Sequence, residues 1–262
     1  MKIIQITDTH FVPPGQRLYE LDPRSRLDAC IADINTHHRD AALCVITGDL
    51  AHRGETDAYI ALRECLARLE IPLQLMIGNH DHRERFCKVF PETVLDDNGF
   101  VQSSRDTEAG RLLFLDTAQH ARHTGHYCAE RRQWLHRALG GASDKAVHVF
   151  MHHPPFDTGL PSCDVLSIEN ADELRSDLST CPQLRHIFFG HVHRPVSGSW
   201  RGISFTTLRA TAHQTLLDFE IEEELYFSHE PPAYAVILLE VDQCTVHFHD
   251  YSDDSPRIAT GA

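Results

Sequence analysis

Residues 186–195 read HIFFGHVHRP, where an apolar run ends at a glycine and two histidines follow, one residue apart. The run HIFFG (186–190) is short and almost continuously apolar, which is typical of a β-strand buried on both faces. In open α/β sheets, ligands bind at the carboxyl ends of the strands. The two histidines therefore lie where a binding site is expected, and the rest of the chain decides whether other ligands meet them.

Similar apolar runs recur along the chain and alternate with amphipathic stretches. We predict further strands at 2–7, 42–47, 73–77, 111–117, 146–152, 203–208, 234–241 and 245–251. Apolar residues at helical spacing predict helices at 23–38, 55–69, 129–139 and 168–179, the first of which begins with proline. This alternation indicates an α/β fold. The final third, from Arg201 on, is richer in strands and indicates a second sheet.

The composition limits the classes of function. A chain of 262 residues is long enough for one large α/β domain, and we expect a single domain over 1–262. The net charge of −14 repels polyanions, so we expect no polymeric nucleic acid as a partner. No apolar run approaches the roughly 20 residues of a membrane helix, and MKIIQITDTH (1–10) does not resemble a secretory signal. The 8 cysteines are scattered, without C-x-x-C, as in a cytoplasmic protein.

Polar side chains follow five of the predicted strands. These motifs are DTH (8–10), GD (48–49), GNHD (78–81), HHP (152–154) and GHVH (190–193). Each is ordinary when taken alone, since D-x-H and G-D are common turns and H-H-P often caps a loop. Together they predict a metal site, because all of them fall at the same kind of position. Imidazole and carboxylate without thiolate suit Zn²⁺, Mn²⁺ or Fe. Two ions about 3.5–4 Å apart would use the whole set.

The series D-x-H, G-D, G-N-H-D, H-H-P and G-H-x-H resembles the calcineurin-like metallophosphoesterases. Within them it is most similar to the bacterial class III cyclic-nucleotide phosphodiesterases and the related glycerophosphodiesterase. Finer matches are DTHF (8–11), RLLFLDT (111–117), FMHHPPF (150–156) and IFFGHVHRP (187–195), so the resemblance covers most of residues 1–215. It implies a four-layer αββα sandwich of two mixed β-sheets flanked by helices.

The resemblance also implies two sets of metal ligands, with Asp49 as the bridging residue. One ion is assigned to Asp8, His10, Asp49 and His193, and the other to Asp49, Asn79, His152 and His191. Every one of these positions holds the residue type that the family pattern requires. The family pattern also implies that the substrate is attacked by a metal-bound hydroxide.

Other residues are expected around the metals. By the resemblance, His80 contacts the phosphate and protonates the leaving group, and Asp81 orients His80. His213 matches a substrate-side histidine less closely, and a surface or interface role is the alternative. Tyr19 and Arg17 are candidates for the pocket wall, because their loop (11–22) follows the first ligands.

Five further histidines are expected to have no direct role in the site. His52, His82 and His153 adjoin ligand motifs, and His247 and His249 alternate on one face of a late strand. Sequence adjacency alone is weak evidence for a ligand, so the first three are predicted to be bystanders or supports of the true ligands.

The motifs narrow the expected substrate. GDLAHRG (48–54) and GNHD (78–81) depart from the GD-x-x-DRG and GNHE of the protein phosphatases in this superfamily. Its double-strand-break nucleases share GNHD and GD-x-x-H, but the acidic charge disfavours a polymer. A small phosphodiester, such as a cyclic nucleotide or a glycerophosphodiester, is the predicted substrate. A phosphomonoesterase and a non-catalytic scaffold remain alternatives. Residues from about 209 to 262 diverge from the family and could form a cap or an oligomerisation element, and we expect a homo-oligomer.

Overall fold

The computed structural model describes residues 1–142, 144–221, 224–256 and 258–260. Its strands are β1 Lys2–Ile6, β2 Leu43–Thr47, β3 Leu73–Met76, β4 Ser103–Thr107, β5 Gly110–Phe114, β6 Val147–Phe150, β7 Leu184–Phe188, β8 Val196–Trp200, β9 Ile203–Thr207, β10 Gln214–Thr215, β11 Phe227–Ser228, β12 Tyr234–Leu239 and β13 Cys244–His249. Its helices are α1 Pro23–His37, α2 Thr56–Leu66, α3 Arg83–Val89, α4 Ala129–Gly140, α5 Pro161–Asp164 and α6 Ala171–Ser179.

Two large mixed sheets form the centre of the molecule. The first has five strands in the order β13-β12-β1-β2-β3, and β1, β2 and β3 run parallel. The second has six strands in the order β4-β5-β6-β7-β9-β8, and its four inner strands run parallel. Parallel strands of one sheet end at the same edge, so residues that follow neighbouring strands are brought together.

The two sheets pack face to face through an apolar core. Phe114, Phe150 and Phe188 stack in this core with ring centroids 5.4 and 4.7 Å apart. Side chains of α1, α2 and α3 cover the outer face of the first sheet, and those of α4 and α6 cover the outer face of the second. This arrangement confirms the predicted αββα sandwich.

The last strands of the chain do not form the separate second sheet that the sequence indicated. β12 pairs with β1 in the first sheet, and the second sheet is built from residues between 103 and 207. The reason is that nearly every residue of β12 is buried, so this strand is stable only inside a sheet.

Six elements escaped the sequence prediction: α3, α5, β4, β8, β10 and β11. β4 has the sequence SSRDT, without an apolar residue, and is held at the sheet edge by backbone pairing with β5. Hydrophobic periodicity cannot detect such a strand, because its side chains do not enter the core. No helix among the described residues is long and apolar enough to cross a membrane.

A buried carboxylate fixes the chain beyond β5. The side chain of Asp116 accepts hydrogen bonds from Arg83 Nε (2.8 Å) and Nη2 (2.9 Å) and from the backbone N–H groups of Val101 (2.9 Å) and Ala118 (3.1 Å). The buried Arg131 lies 3.6 Å away and donates to the Asp116 carbonyl. Asp116 therefore connects α3 and α4 to the end of β5.

We expect Asp116→Ala to destabilise the protein by about 3–5 kcal/mol, because it leaves the buried Arg131 and the partly buried Arg83 without their carboxylate. Asp106→Ala is the matched control, since Asp106 pairs with Arg111 and Lys145 at the surface, where such a pair contributes about 0–1 kcal/mol. Urea denaturation in EDTA measures both. Equal losses of stability would contradict the role assigned to Asp116.

Candidate metal centre

The seven predicted ligands converge at the carboxyl ends of both sheets. The first sheet supplies Asp8, His10, Asp49 and Asn79, and the second supplies His152, His191 and His193. Each of the two predicted ligand sets therefore contains residues from both sheets. The packing of the sheets, rather than either sheet alone, brings each set together.

Sharp turns after the strands aim these side chains inward. Five of the ligands have a positive φ, namely Asp8 (53°), His10 (43°), Asp49 (51°), His191 (68°) and His193 (52°). This conformation is uncommon for residues other than glycine, and backbone strain of this kind costs of order 1–3 kcal/mol per residue. The surrounding packing must hold these residues in place, as is typical of functional sites.

Two glycines let the ligand loops approach each other. A Cβ atom on Gly78 would lie 2.2 Å from Asp49 Oδ1 and 2.6 Å from His152 Nε2. A Cβ atom on Gly190 would lie 2.2 Å from Thr7 Oγ1. The glycines of G-N-H-D and G-H-x-H are thus required by close contact between the loops.

The first group of ligands is compact and buried. The ligand atoms of Asp8, His10, Asp49 and His193 all lie within 4.8 Å of one another. His193 Nε2 is 3.1 Å from His10 Nε2 and 3.2 Å from Asp8 Oδ1, and His10 Nε2 is 3.6 Å from Asp49 Oδ2. These four residues are the set predicted for one ion.

The second group surrounds the amide oxygen of Asn79. His152 Nε2 and His191 Nδ1 each lie 3.1 Å from Asn79 Oδ1. His152 Nε2 is also 3.4 Å from Asp49 Oδ1. Asp49 therefore directs one oxygen toward each group, as a bridging carboxylate must.

Hydrogen bonds on the far side of the rings fix which nitrogen faces the cluster. His152 Nδ1 lies 2.8 Å from the Thr47 carbonyl, His193 Nδ1 lies 2.8 Å from the His213 carbonyl, and His80 Nδ1 lies 2.6 Å from the His52 carbonyl. A carbonyl can only accept, so each Nδ1 carries a proton, and in the neutral ring Nε2 presents a lone pair. Support of ligand histidines by backbone carbonyls is a regular feature of metal sites.

The donor atoms fit a metal ion. Asp8 Oδ1 is buried and has no hydrogen-bond donor among the described residues, although His193 Nε2 lies beside it. Buried lone pairs that face one another need a cation between them. Carboxylate, amide and imidazole donors without thiolate suit Zn²⁺, Mn²⁺ or Fe.

The electrostatics of the cluster also favour a cation. Burial raises the pKa of Asp49, but His152 and His80 outweigh it and hold the pKa well below its usual range. Burial lowers the pKa of His152, but the Asp49 carboxylate outweighs it and raises the pKa to about 9. The Asp49 carboxylate is thus ionised in a buried place, where it requires a positive partner.

Asp81 does not orient His80, contrary to the expectation from the sequence. Its carboxylate accepts from the backbone N–H groups of Gly78, Leu50 and Ala51 and from the Tyr59 hydroxyl. It therefore holds the G-N-H-D loop against the G-D loop. The His80 ring is fixed by the His52 carbonyl instead, and its Nε2 lies 4.0 Å from Asp49 Oδ2.

A cavity of about 270 Å³ opens above the cluster. His80, His213 and Tyr19 line it, as their predicted role in substrate binding requires. The Tyr19 ring packs 4.9 Å from that of His213, and both lie against Phe227. Arg17 is not in this wall, because its guanidinium donates to the Glu20 carbonyl and lines a separate surface cleft.

Comparison with known proteins decides the family. The model of the calcineurin-like phosphoesterase family matches residues 1–195. The chain belongs to the calcineurin-like phosphoesterase family.

Relatives of this calcineurin-like phosphoesterase match it over most of its length. A probable cyclic nucleotide phosphodiesterase from Rhodopseudomonas palustris is 44% identical over 98% of this chain and 94% of the relative. A probable glycerophosphodiester phosphodiesterase from Arcobacter nitrofigilis is 30% identical over 89% of this chain and 86% of the relative. The crystal structure of a dimetal phosphatase from Danio rerio has the same fold, with a TM-score of 0.74, 13% identity and 96% of both chains covered.

Two histidines of this phosphoesterase that the sequence analysis did not assign to the site lie at the cavity. His52 Nδ1 is 3.3 Å from His10 Nδ1, and the His52 ring stacks on that of His80 at 5.0 Å. His123 Nδ1 is 3.2 Å from Asn79 Nδ2. The element GD-x-x-H could have indicated His52. His123 lies in a loop that follows no strand directly, so no positional signal could have found it.

Three other histidines that were set aside divide into two groups. His153 is buried beside the site, where its ring lies 4.7 Å from His191 and its Nδ1 lies 2.8 Å from Thr117 Oγ1. The His153 ring therefore packs against the predicted ligand His191. His247 and His249 are exposed on β13, as expected.

We expect Asp49→Ala to reduce bound metal from two ions per chain toward none, because its two oxygens face both ligand groups. Mass spectrometry of the dialysed protein measures the metal content. His80→Ala and the exposed His247→Ala should keep the metal content of the unmodified chain. Retention of both ions by Asp49→Ala would contradict the bridging role.

Proposed function

We propose that this chain hydrolyses small phosphodiesters, such as cyclic nucleotides, glycerophosphodiesters or related esters, with the aid of two metal ions. The position of Asp49 carries this proposal. Its Oδ2 lies 3.6 Å from His10 Nε2 and its Oδ1 lies 3.4 Å from His152 Nε2, so one carboxylate serves both ligand groups. The names of the two relatives, a cyclic nucleotide phosphodiesterase and a glycerophosphodiester phosphodiesterase, support the same substrate class.

The residues proposed to hold the ions are those of the two groups described above. Asp8, His10, Asp49 and His193 would hold one ion, and Asp49, Asn79, His152 and His191 the other. A metal pair of this kind polarises phosphoryl oxygens, provides a nucleophile at neutral pH and neutralises charge in the transition state. Mn, Fe and Zn are the metals that we propose for this donor set.

His80 is proposed to act on the leaving group. Its Nδ1 proton is held by the His52 carbonyl, so Nε2 is the atom that faces the cavity. In its protonated form, this nitrogen can hold a phosphoryl oxygen or deliver a proton to the departing alkoxide. His213 and Tyr19 would contact the organic part of the substrate, since both line the cavity wall.

The shape and charge of the molecule support a small substrate. The cavity of about 270 Å³ is slightly smaller than the usual range for small-molecule sites, about 300–1,000 Å³. The net charge of −14 opposes the approach of a polyanion. We propose that the chain is cytoplasmic, because its cysteines are scattered without C-x-x-C. We also propose that it forms a homo-oligomer. The single-domain organisation stays a prediction.

With Mn²⁺ restored to stripped protein, we expect faster hydrolysis of bis(p-nitrophenyl) phosphate than of p-nitrophenyl phosphate. Asn79→Ala should abolish the diester activity, because it removes the oxygen shared by His152 and His191. The exposed Asn98→Ala is the control and should keep full activity. Preference for the monoester would favour a phosphatase. Inactivity despite two bound ions would favour the alternative that the protein is a non-catalytic scaffold.

We expect His80→Ala to reduce kcat/KM for a 3′,5′-cyclic nucleotide by about 10²–10⁴-fold, the usual contribution of general acid–base catalysis. The loss for bis(p-nitrophenyl) phosphate should be much smaller, because p-nitrophenolate departs without a proton. Steady-state kinetics at equal metal content measure both. Equal losses for the two substrates would indicate that His80 binds phosphate without protonating the leaving group.

A further inference from the structure

An open groove of about 540 Å³ continues sideways from the metal cavity. The groove and the cavity share lining residues, including Tyr19, His52 and His80. A substrate bound at the metal cluster can therefore extend into the groove. None of the predicted metal ligands except Asn79 lines it.

The groove is lined by basic and imidazole side chains. Arg53 and Arg122 are exposed, and neither guanidinium lies within 4.0 Å of a carboxylate in the part of the chain that the structure describes. His82 and His120 complete this side, with ring centroids 5.4 Å apart. Two unpaired arginines at one place are notable in a chain with a net charge of −14. Their planar guanidinium groups match the geometry of carboxylates and phosphates.

The nearby acidic groups are engaged elsewhere. Asp81 is the carboxylate among the lining residues, and it is held by three backbone N–H groups and the Tyr59 hydroxyl. Hydrogen bonds from Thr124 and Gln119 lower the pKa of Glu169, and the charge of Arg122 adds to this effect without forming an ion pair within 4.0 Å among the described residues. Glu55 accepts from the backbone N–H of Arg53, which leaves the guanidinium free. The arginines are thus available to a bound anion.

Another part of the metal cavity is lined by apolar side chains. Leu166, Leu225 and Phe227 line it, together with Cys163, and none of these four residues lines the groove. The cavity and the groove therefore offer a substrate different surroundings, one partly apolar and one basic.

We infer that the groove beside Arg53 and Arg122 is a subsite for a second anionic group carried by the substrate. The substrate would then be a phosphodiester with an apolar or aromatic substituent on one side and a carboxylate or phosphate on the other. This inference rests on the proposed phosphodiesterase function and specifies its substrate class.

A matched pair of diesters tests the subsite. Phenyl 4-carboxyphenyl phosphate carries the anion, and phenyl 4-carbamoylphenyl phosphate replaces it with a neutral group of the same shape. We expect the unmodified, metal-loaded protein to prefer the carboxylate by about 10- to 100-fold in kcat/KM, as one or two charge-assisted hydrogen bonds imply. Chromatography of the released phenols shows whether the groove holds the leaving or the retained group.

Variants test whether the two arginines cause the preference for the carboxylate diester. Arg53→Gln combined with Arg122→Gln should remove the preference and leave hydrolysis of the carbamoyl diester unchanged. Arg105→Gln is the control, because Arg105 is exposed on β4 outside the groove. The preference should also weaken as salt is raised, since exposed charges are screened.

Two results would overturn the subsite: equal kcat/KM for the two diesters, or a preference that survives the double variant. Hydrolysis of bis(p-nitrophenyl) phosphate is measured in parallel. If it proceeds while the preference is absent, the subsite is wrong and the proposed function stands. If it is absent with every metal, the proposed function fails, and calorimetric titration of both diesters still decides the subsite, because equal Kd values would exclude it.

Discussion

The carboxylate of Asp49 is the group on which the rest of the site depends. It lies between the two ligand groups, and the backbone N–H of His80 donates to its Oδ1 at 2.9 Å. Gly78 allows this contact, because any side chain there would collide with the carboxylate. The buried charge is stable only beside cations, which His152 supplies as an imidazolium and metal ions would supply in its place.

The packing of the two sheets is what places ligands on both sides of Asp49. The stacked rings of Phe114, Phe150 and Phe188 fill the core between the sheets, and β6 and β7 end directly before the second sheet's ligands. A close-packed core resists relative movement of the sheets. This rigidity can hold the left-handed backbone at five ligands, which an isolated loop would not adopt.

Most of the residues that line the cavity wall and the groove are not predicted metal ligands. The cavity walls come from loops and short strands, with Tyr19, His123 and Phe227 as examples, and the basic groove adds Arg53 and Arg122. Such segments can change in sequence without disturbing the sheets. In the function that we propose, the metal cluster defines the reaction, and these surroundings define which phosphodiester can enter.

The sequence pattern by itself predicted an α/β fold with a metal site at the strand ends, and the resemblance to the family implied the sandwich and the seven candidate ligands. Buried strands are recognisable as apolar runs, and the ligands follow them within a few residues. Tertiary structure decided the contacts that have no local signature: Asp81 bonds to backbone N–H groups instead of His80, Arg17 faces away from the cavity, and β12 enters the first sheet. His52, His123 and Phe227 meet at the cavity from distant parts of the chain. These contacts depend on how the loops fold over the packed sheets. The local hydrophobic periodicity of the sequence carries no information about that folding.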